Sequence, residues 1–200
     1  MATKLKAETD NFINLSKLRT RMKIGFAVLL DDESHNFARK IEFELCNKFG
    51  LCWGLKQSPH ITIKAPFNTR KIEPFVNYLE NLAKQTQPFD IELDGFDYFE
   101  PKVIFLNVRE NAKLKELHSK ILKDLKEKFS IVPHALEGKS IRFHSTVALE
   151  DVTKKKFREA KKYLKNYHPR FKFKANSFGI FLYLGKEAGW IIIRRVKLNG

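Results

Sequence analysis

The 200 residues are 43% hydrophobic and 30% charged, which is enough apolar material for a folded core and excludes a long disordered domain. No apolar run approaches the roughly 20 residues that a membrane-spanning helix needs. Residues 1–21 mix charges of both signs without the apolar segment of a signal peptide, so we expect a cytoplasmic protein with no membrane partner.

The predicted elements follow a polar arm over residues 1–22 that is either flexible or folded over the rest of the chain. Periodicity and turn signals in the first half predict strands at 23–30, 59–67, 89–99 and 102–109, and helices at 31–49 and 71–85. In the second half, an apolar stripe from Leu114 to Phe129 predicts one helix, and a stripe from Phe157 to Leu164 predicts another. Strands are predicted at 141–149, 170–184 and 190–198.

This order of elements occurs twice. His60 and His144 lie 84 residues apart, and each opens an H-x-T motif on a predicted strand. Three phenylalanines also recur at a shift of 82: Phe89, Phe96 and Phe99 match Phe171, Phe178 and Phe181. The repeat predicts an α+β, internally duplicated bilobal fold with two mainly antiparallel sheets flanking a central cleft and helices outside. The lobes are expected at 23–110 and 111–200.

The paired motifs predict a site for phosphoryl chemistry. Alternation along a strand places Thr62 on the face of His60, and Thr146 on the face of His144. A histidine has an unperturbed pKa of about 6.5, so at neutral pH one ring can be neutral and the other protonated. The first would remove a proton from the attacking oxygen, the second would protonate the departing oxygen, and the threonine hydroxyls would bind the phosphate oxygens.

The motifs in "PHITIKAPF" and "FHSTVAL" resemble those of the two-histidine phosphoesterase superfamily, which includes bacterial RNA 2',3'-cyclic phosphodiesterases described as 2'-5' RNA ligases. The resemblance covers about residues 23–198. It implies a bilobal fold with a central cleft and a catalytic tetrad of His60, Thr62, His144 and Thr146, with no metal and no other cofactor. Ser145 departs from the proline or apolar residue expected there, and we expect its side chain to point away from the cleft.

We therefore predict a metal-independent phosphoesterase that opens 2',3'-cyclic phosphate ends of RNA, with 2'-5' ligation as the reverse reaction. The expected partner is an RNA or nucleotide phosphodiester, and the protein is expected to be a monomer. Two alternatives stay open: a non-catalytic RNA-binding module, and a phosphodiesterase for a small 2'-5' or cyclic nucleotide. ATP-dependent ligation is not supported, because the chain has no G-x-x-x-x-G-K-[ST] phosphate loop.

The uneven distribution of charge favours RNA as a partner. The net charge is +15, and residues 111–200 carry 22 basic and 8 acidic groups. Ten of the basic residues lie within 154–174. This segment is either a solvated lysine-rich helix face or an electrostatic surface for a polyanion.

Other residues are candidates for substrate contacts, each with a structural alternative. Lys64 shares the face of His60 but is also typical of a solvated strand end, and Arg142 either contacts phosphate or forms a surface ion pair. Aromatic rings near strand ends either stack on a base or pack internally, namely Tyr98, Tyr183 and Trp190.

The two cysteines and His118 are expected to have structural roles. Cys46 and Cys52 are the only cysteines, and neither a CxxC pair nor a zinc-ligand spacing is present. We expect both to be buried and reduced. His118 lies beside the apolar stripe of its helix and is expected at the helix edge.

Overall fold

The computed structural model describes residues 21–138 and 141–200. The predicted arm therefore lies outside the described residues except at its last two positions, and Met22 already begins a strand. Four α-helices are present in the described part: α1 Asp32–Phe49, α2 Glu73–Lys84, α3 Ala112–Phe129 and α4 Lys154–Leu164. The strands are β1 Met22–Leu29, β2 His60–Thr69, β3 Phe89–Phe99, β4 Val103–Val108, β5 His144–Ala148, β6 Arg170–Ala175, β7 Ser177–Tyr183 and β8 Trp190–Lys197.

The strands form two four-stranded antiparallel sheets. Sheet A has the order β2-β1-β7-β8, and sheet B has the order β5-β4-β3-β6. The two strands that carry the H-x-T motifs, β2 and β5, occupy an edge of their sheets. The predicted α+β fold with two antiparallel sheets is confirmed.

The two halves of the chain exchange strands. Sheet A combines β1 and β2 with β7 and β8, whereas sheet B combines β3 and β4 with β5 and β6. The sheets therefore do not follow the predicted division at 110/111. One exchange occurs at Asn176, which separates β6 from β7, so the predicted strand at 170–184 is two strands in different sheets.

Helices cover the outer faces of both sheets and enclose one main hydrophobic core. Helices α2 and α3 contact sheet A, and α1 contacts β5 and α4. The side chain of Asp31 caps α1 by accepting from Ser34 N at 3.1 Å, and Asn111 and Thr153 cap α3 and α4 in the same way. Within the described residues, none of the helices has the length and apolar character of a membrane span.

The two cysteines correct a prediction. Cys46 and Cys52 are half-buried and joined by a disulfide, so the expectation of buried, reduced thiols is wrong. The cause is local. Helix α1 ends at Gly50, whose left-handed backbone (φ 63°) turns the chain back and brings the two Cα atoms to 4.3 Å.

Between the disulfide and β2, a short 3-10 helix spans Trp53–Lys56. Asp151, which follows β5, accepts hydrogen bonds from Cys52 N (2.6 Å) and Trp53 N (2.8 Å). These bonds link the segment before the first motif to the segment after the second.

Candidate active site

The two H-x-T strands meet at the centre of the molecule. Strands β2 and β5 contact each other, and alternation buries Ile61 and Ile63 while His60 and Thr62 face the opposite side. A cavity of about 560 Å³ is lined by His60, Thr62 and Thr146, and a second cavity of about 820 Å³ is lined by Thr62 and His144. Lys23, Thr62 and Pro66 line both cavities, so the two cavities are adjacent along one cleft.

Both histidine rings are held in the same way. Nδ1 of His60 lies 2.7 Å from the carbonyl oxygen of Ser58, and Nδ1 of His144 lies 2.8 Å from that of Arg142. Because a carbonyl oxygen only accepts, each Nδ1 carries the hydrogen. In the neutral ring Nε2 therefore keeps its lone pair, which suits it to accept a proton from a reactant.

Each ring also packs on a phenylalanine of the internal repeat. The centroid of the His60 ring lies 4.3 Å from that of Phe181, and the centroid of the His144 ring lies 5.1 Å from that of Phe99. Phe99 and Phe181 are one of the pairs related by the shift of 82 residues. Each histidine therefore rests on a side chain from the other half of the sequence.

Burial disfavours the protonated form of both rings. Burial lowers the pKa of His60 to about 4, the hydrogen bond to Ser58 opposes this, and the charge of His144 lowers it further. Burial also lowers the pKa of His144, opposed by the carbonyl of Arg142 and assisted by that residue's positive charge. Desolvation thus disfavours the imidazolium form that one of the two rings needs in order to act as an acid.

The two basic candidates are engaged with carboxylates. Lys64 is 1% exposed, and its Nζ lies 2.6 Å from Oε2 of Glu137, in a buried ion pair rather than at a solvated strand end. Arg142 forms an ion pair with Asp97 beside the cleft, which is the structural alternative considered for it. Both nevertheless border the cavities, Lys64 the first and Arg142 the second.

The sequence did not predict that Glu137 and His118 line the second cavity. The Glu137 carboxylate also accepts from Ala65 N (2.5 Å) and His134 N (2.7 Å). His118 is buried rather than at a helix edge, with Nδ1 2.9 Å from the carbonyl oxygen of Ile63. These contacts tie the loop before the second motif to the strand of the first, and no local pattern signals a pairing across 73 positions.

The aromatic candidates separate into two groups. Tyr183 and Trp190 line the His60 cavity with their centroids 4.9 Å apart, and Nζ of Lys23 lies 5.5 Å and 5.8 Å from these rings. Tyr98 instead packs against Phe157 of α4, with 5.6 Å between centroids, on the helix side of sheet B. Tyr98 therefore has the internal packing that was the structural alternative for it.

Trp53 and Gln57 also line the His60 cavity and were missed, because the 3-10 helix that presents Trp53 has no clear sequence pattern. Ser145 is fully buried, facing away from the cleft as expected. Within the described residues, no group of three or more His, Cys, Asp or Glu side chains is placed to hold a metal ion.

Comparisons with known proteins indicate the family of the chain. A family model described as the 2'-5' RNA ligase superfamily matches residues 30–187. A Geobacillus thermodenitrificans protein named "Putative phosphoesterase" is 34% identical over 90 residues, covering 42% of this chain and 52% of that protein. A Bacillus cereus protein of the same name is 33% identical over 91 residues, with the same coverages. The chain spans about half the length of the curated relatives it matches.

Two solved structures share the fold. TT0787 of Thermus thermophilus superimposes with a TM-score of 0.65 at 18% identity, covering 90% of this chain and 99% of that one. Escherichia coli LigT in apo form gives 0.58 at 17% identity, with coverages of 90% and 99%. LigT has also been solved in complexes with ATP, 3'-AMP and NADP+.

Proposed function

Because this chain belongs to the 2'-5' RNA ligase superfamily of two-histidine phosphoesterases, we propose that it hydrolyses 2',3'-cyclic phosphate ends of RNA. One observation carries the proposal. Two imidazoles, each fixed through Nδ1 to the carbonyl two residues earlier, border one cleft together with Thr62 and Thr146.

The proposed reaction begins with a neutral His60. Its Nε2 removes a proton from a water molecule, whose oxygen then bonds to phosphorus. On the opposite side the bond from phosphorus to the ribose 2' or 3' oxygen breaks, and the imidazolium of His144 donates a proton to that oxygen. The products are a phosphomonoester and a free hydroxyl. When a 5' hydroxyl takes the place of the water molecule, its oxygen bonds to phosphorus, the bond from phosphorus to the ribose 3' oxygen breaks with a proton from the imidazolium, and a 2'-5' diester forms.

The roles of the histidines follow from their electrostatics. The charge of His144 is among the causes that lower the pKa of His60 to about 4, so His144 takes the first proton and His60 stays neutral. A bound phosphate supplies the negative charge that favours the His144 imidazolium. The hydroxyls of Thr62 and Thr146 donate to the non-bridging oxygens, where charge increases in the transition state.

The His60 cavity suits the nucleoside that carries the phosphate. Tyr183 and Trp190 offer ring faces to a base, and the ammonium of Lys23 lies beside both rings. The complexes of LigT with 3'-AMP and NADP+ support a nucleotide ligand for this fold. Since the two imidazoles supply both proton transfers, no step requires a metal ion or another cofactor, and activity should survive EDTA.

The test is a chromatographic assay of an RNA with a 2',3'-cyclic phosphate end beside a 2'-5' dinucleotide and a small cyclic nucleotide. His60→Ala and His144→Ala should each lower kcat by roughly 10² to 10⁴, the usual contribution of a positioned proton transfer. His168→Ala is the matched control, because His168 is exposed and borders neither cavity.

Full activity in either single variant, with circular dichroism showing a folded protein, contradicts the mechanism. Salt-sensitive RNA binding without turnover of any substrate would favour the alternative of an RNA-binding module. Turnover of the small nucleotide alone would retain the enzyme and change its substrate.

A further inference from the structure

We infer that Arg39 is a positioning residue for His60, and that its guanidinium fixes the backbone that presents the Ser58 carbonyl to Nδ1 of that ring. The inference rests on the proposed function, which makes His60 the base of the reaction. It goes beyond that function by assigning a role to a side chain of α1, outside the H-x-T motifs. Arg39 lines neither of the two cleft cavities, so its effect on the reaction passes through the backbone.

One nitrogen of Arg39 contacts three acceptors. Its Nη1 lies 2.7 Å from Oε2 of Glu42, 3.1 Å from the carbonyl oxygen of Gln57 and 3.4 Å from that of Leu55. The two carbonyls belong to the end of the 3-10 helix and to the residue that follows it, on the way to β2. A guanidinium is planar and its donors form a rigid fork, so a side chain held by Glu42 presents those donors to this backbone in one geometry.

The residues just before His60 are held by a second side chain of α1. Nε2 of His35 lies 3.2 Å from Oγ of Ser58, and His35 precedes Arg39 by four positions, on the same face of the helix. Pro59 is buried and has no N–H group through which its own backbone could be anchored. The position of the Ser58 carbonyl therefore depends strongly on α1.

The 3-10 helix is confined between α1 and the strand of the second motif. A Cβ atom at Gly54 would collide with the carbonyl oxygen of Val147 in β5 and would lie 3.1 Å from Cγ of Glu42. Only glycine permits this close approach of two backbones. Because the segment is in contact with both elements, it transmits the position of α1 to the start of β2.

The Ser58 carbonyl determines which nitrogen of His60 can act as a base. It lies 2.7 Å from Nδ1, which therefore carries the hydrogen and leaves the lone pair on Nε2. If the carbonyl moved away, the ring would be free to adopt the other tautomer, with its hydrogen on Nε2. That tautomer cannot take a proton from water at Nε2, so the tautomer of His60 is the property that Arg39 maintains.

His144 is supported differently and serves as an internal comparison. Its carbonyl partner belongs to Arg142, whose side chain binds Asp97 and, at 3.1 Å, Oδ1 of Asn107. None of these bonds involves α1. Removing the Arg39 guanidinium should therefore alter one imidazole and leave the other unchanged, which a general loss of stability would not do.

Arg39→Met is a suitable variant because it keeps the length of the side chain and removes every donor. Burial raises the pKa of Glu42 to about 8, although the charge and the hydrogen bond of Arg39 lower it. Without the guanidinium, Glu42 takes up a proton instead of leaving an unpaired charge in the interior, so the variant should fold. Lys40→Met is the matched control, since Lys40 is exposed on the same helix and lines neither cleft cavity.

Imidazole ¹⁵N NMR of the whole chain tests the inference independently of turnover. Spectra of His60→Ala and His144→Ala assign the signals of the two rings. In the wild-type protein both rings should show a hydrogen on Nδ1. In Arg39→Met the Nδ1 and Nε2 signals of His60 should move toward each other as the two tautomers mix, while those of His144 stay in place. Lys40→Met should change neither ring.

Steady-state kinetics with a 2',3'-cyclic phosphate provides the second measurement. A displaced base affects the chemical step, so Arg39→Met should lower kcat about tenfold and change KM by less than about threefold. Arg39→Lys should have an intermediate kcat, because it keeps a cation with hydrogen-bond donors on a shorter stem. If circular dichroism shows that Arg39→Met is unfolded, the same comparisons are made with Arg39→Lys.

Unchanged His60 signals in the folded variant overturn the inference, whatever the activity. Equal movement of the His60 and His144 signals overturns it as well, since it indicates a general loss of structure. A higher KM with an unaltered kcat would instead make Arg39 a direct substrate contact. Movement of the His60 signals alone, in a protein that hydrolyses no phosphodiester, supports the positioning role and contradicts the proposed function.

Discussion

At the scale of single residues, the burial of the two imidazoles determines how the site works. The pKa values of both His60 and His144 are lowered by burial, so positive charge on the pair is disfavoured in the free protein. In the proposed mechanism, the binding of an anionic phosphate favours the imidazolium that serves as the acid. Binding of the phosphate and uptake of a proton are therefore coupled.

This coupling predicts an acidic optimum for kcat/KM. A lowered pKa means that the proton is lost at a lower pH, so the form with one charged ring is most populated below pH ~6.5 in the free enzyme, the unperturbed value for histidine. Above that optimum kcat/KM should fall about tenfold per pH unit, while kcat, which reports the complex, should peak at higher pH. Initial rates across a series of buffers measure both profiles, and a kcat/KM maximum on the alkaline side of neutrality contradicts the assignment.

The residue scale is also where the sequence was most informative. Period-two alternation is a local property of a strand, so it correctly placed His60 with Thr62 on one face of β2. It does not reveal which face of a sheet meets a cleft. Phe99 contacts His144 while its neighbour Tyr98 packs under α4, and only the tertiary arrangement separates these two residues.

At the scale of elements, the loop between α3 and β5 depends on one buried carboxylate. Glu137 binds the ammonium of Lys64 and two backbone N–H groups, so three donors lose their acceptor if the carboxylate is removed. The bridge joins β2 to the segment that leads into β5, and it therefore holds the second motif against the first.

Removing Glu137 and removing Lys64 should lower the free energy of unfolding by unequal amounts. Glu137→Ala leaves a buried ammonium and two unpaired N–H groups, and we expect about 3 to 5 kcal/mol of lost stability. Lys64→Met leaves a carboxylate that still has two N–H donors, so we expect a smaller loss, about 1 to 3 kcal/mol. Urea unfolding of both variants gives the comparison. Equal losses would contradict the importance assigned to the backbone donors.

The disulfide is a second stabilising link at this scale. It closes a short loop with a sequence separation of 6, for which the chain-entropy model gives roughly 2 kcal/mol. The Cys46→Ser, Cys52→Ser double variant should therefore unfold at lower temperature, and dithiothreitol should lower the Tm of the wild-type protein by a similar amount. The reductant should leave the double variant unchanged. A wild-type Tm that does not respond to the reductant contradicts the stabilising role of the disulfide.

Some elements could be predicted from the sequence and others could not, and the reasons are physical. Helix α1 has an N-cap, acidic residues in its first turn and an apolar stripe, all of which are visible in sequence. The 3-10 helix at Trp53–Lys56 is a single turn, too short to show periodicity. The pairing of Cys46 with Cys52 depended on a turn at Gly50 that the cysteine spacing does not encode.

At the scale of the whole molecule, the basic segment 154–174 divides into two parts. On β6, Arg170, Lys172 and Lys174 lie opposite Asp94, Glu92 and Asp90 of β3 and form ion pairs with them. On α4, Lys154, Lys155 and Lys162 are exposed. The segment is one continuous basic run in sequence, but pairing with β3 depends on the sheet order and leaves α4 as the candidate surface for a polyanion.

This division predicts different effects on RNA binding. The triple variant Lys154→Gln, Lys155→Gln, Lys162→Gln should weaken binding of a single-stranded RNA and reduce the slope of log K against log salt by about 2, near 0.7 per lost phosphate contact. The control Lys172→Gln, Lys174→Gln removes charges that already pair with β3, and should change the slope little. Fluorescence anisotropy over a range of salt concentrations measures the slope for both variants. An unchanged slope in the triple variant shows that α4 is a solvated helix that does not contact the RNA.

The exchange of strands between sheets also bears on how such a molecule originates. A single copy of the repeat holds two strands of one sheet and two of the other, so it completes neither. Two identical half-length chains would complete both four-stranded sheets by trading strands, as in a domain-swapped homodimer. Each such chain would contribute one imidazole to a shared centre, so fusion of the genes would preserve chemistry that association had already created.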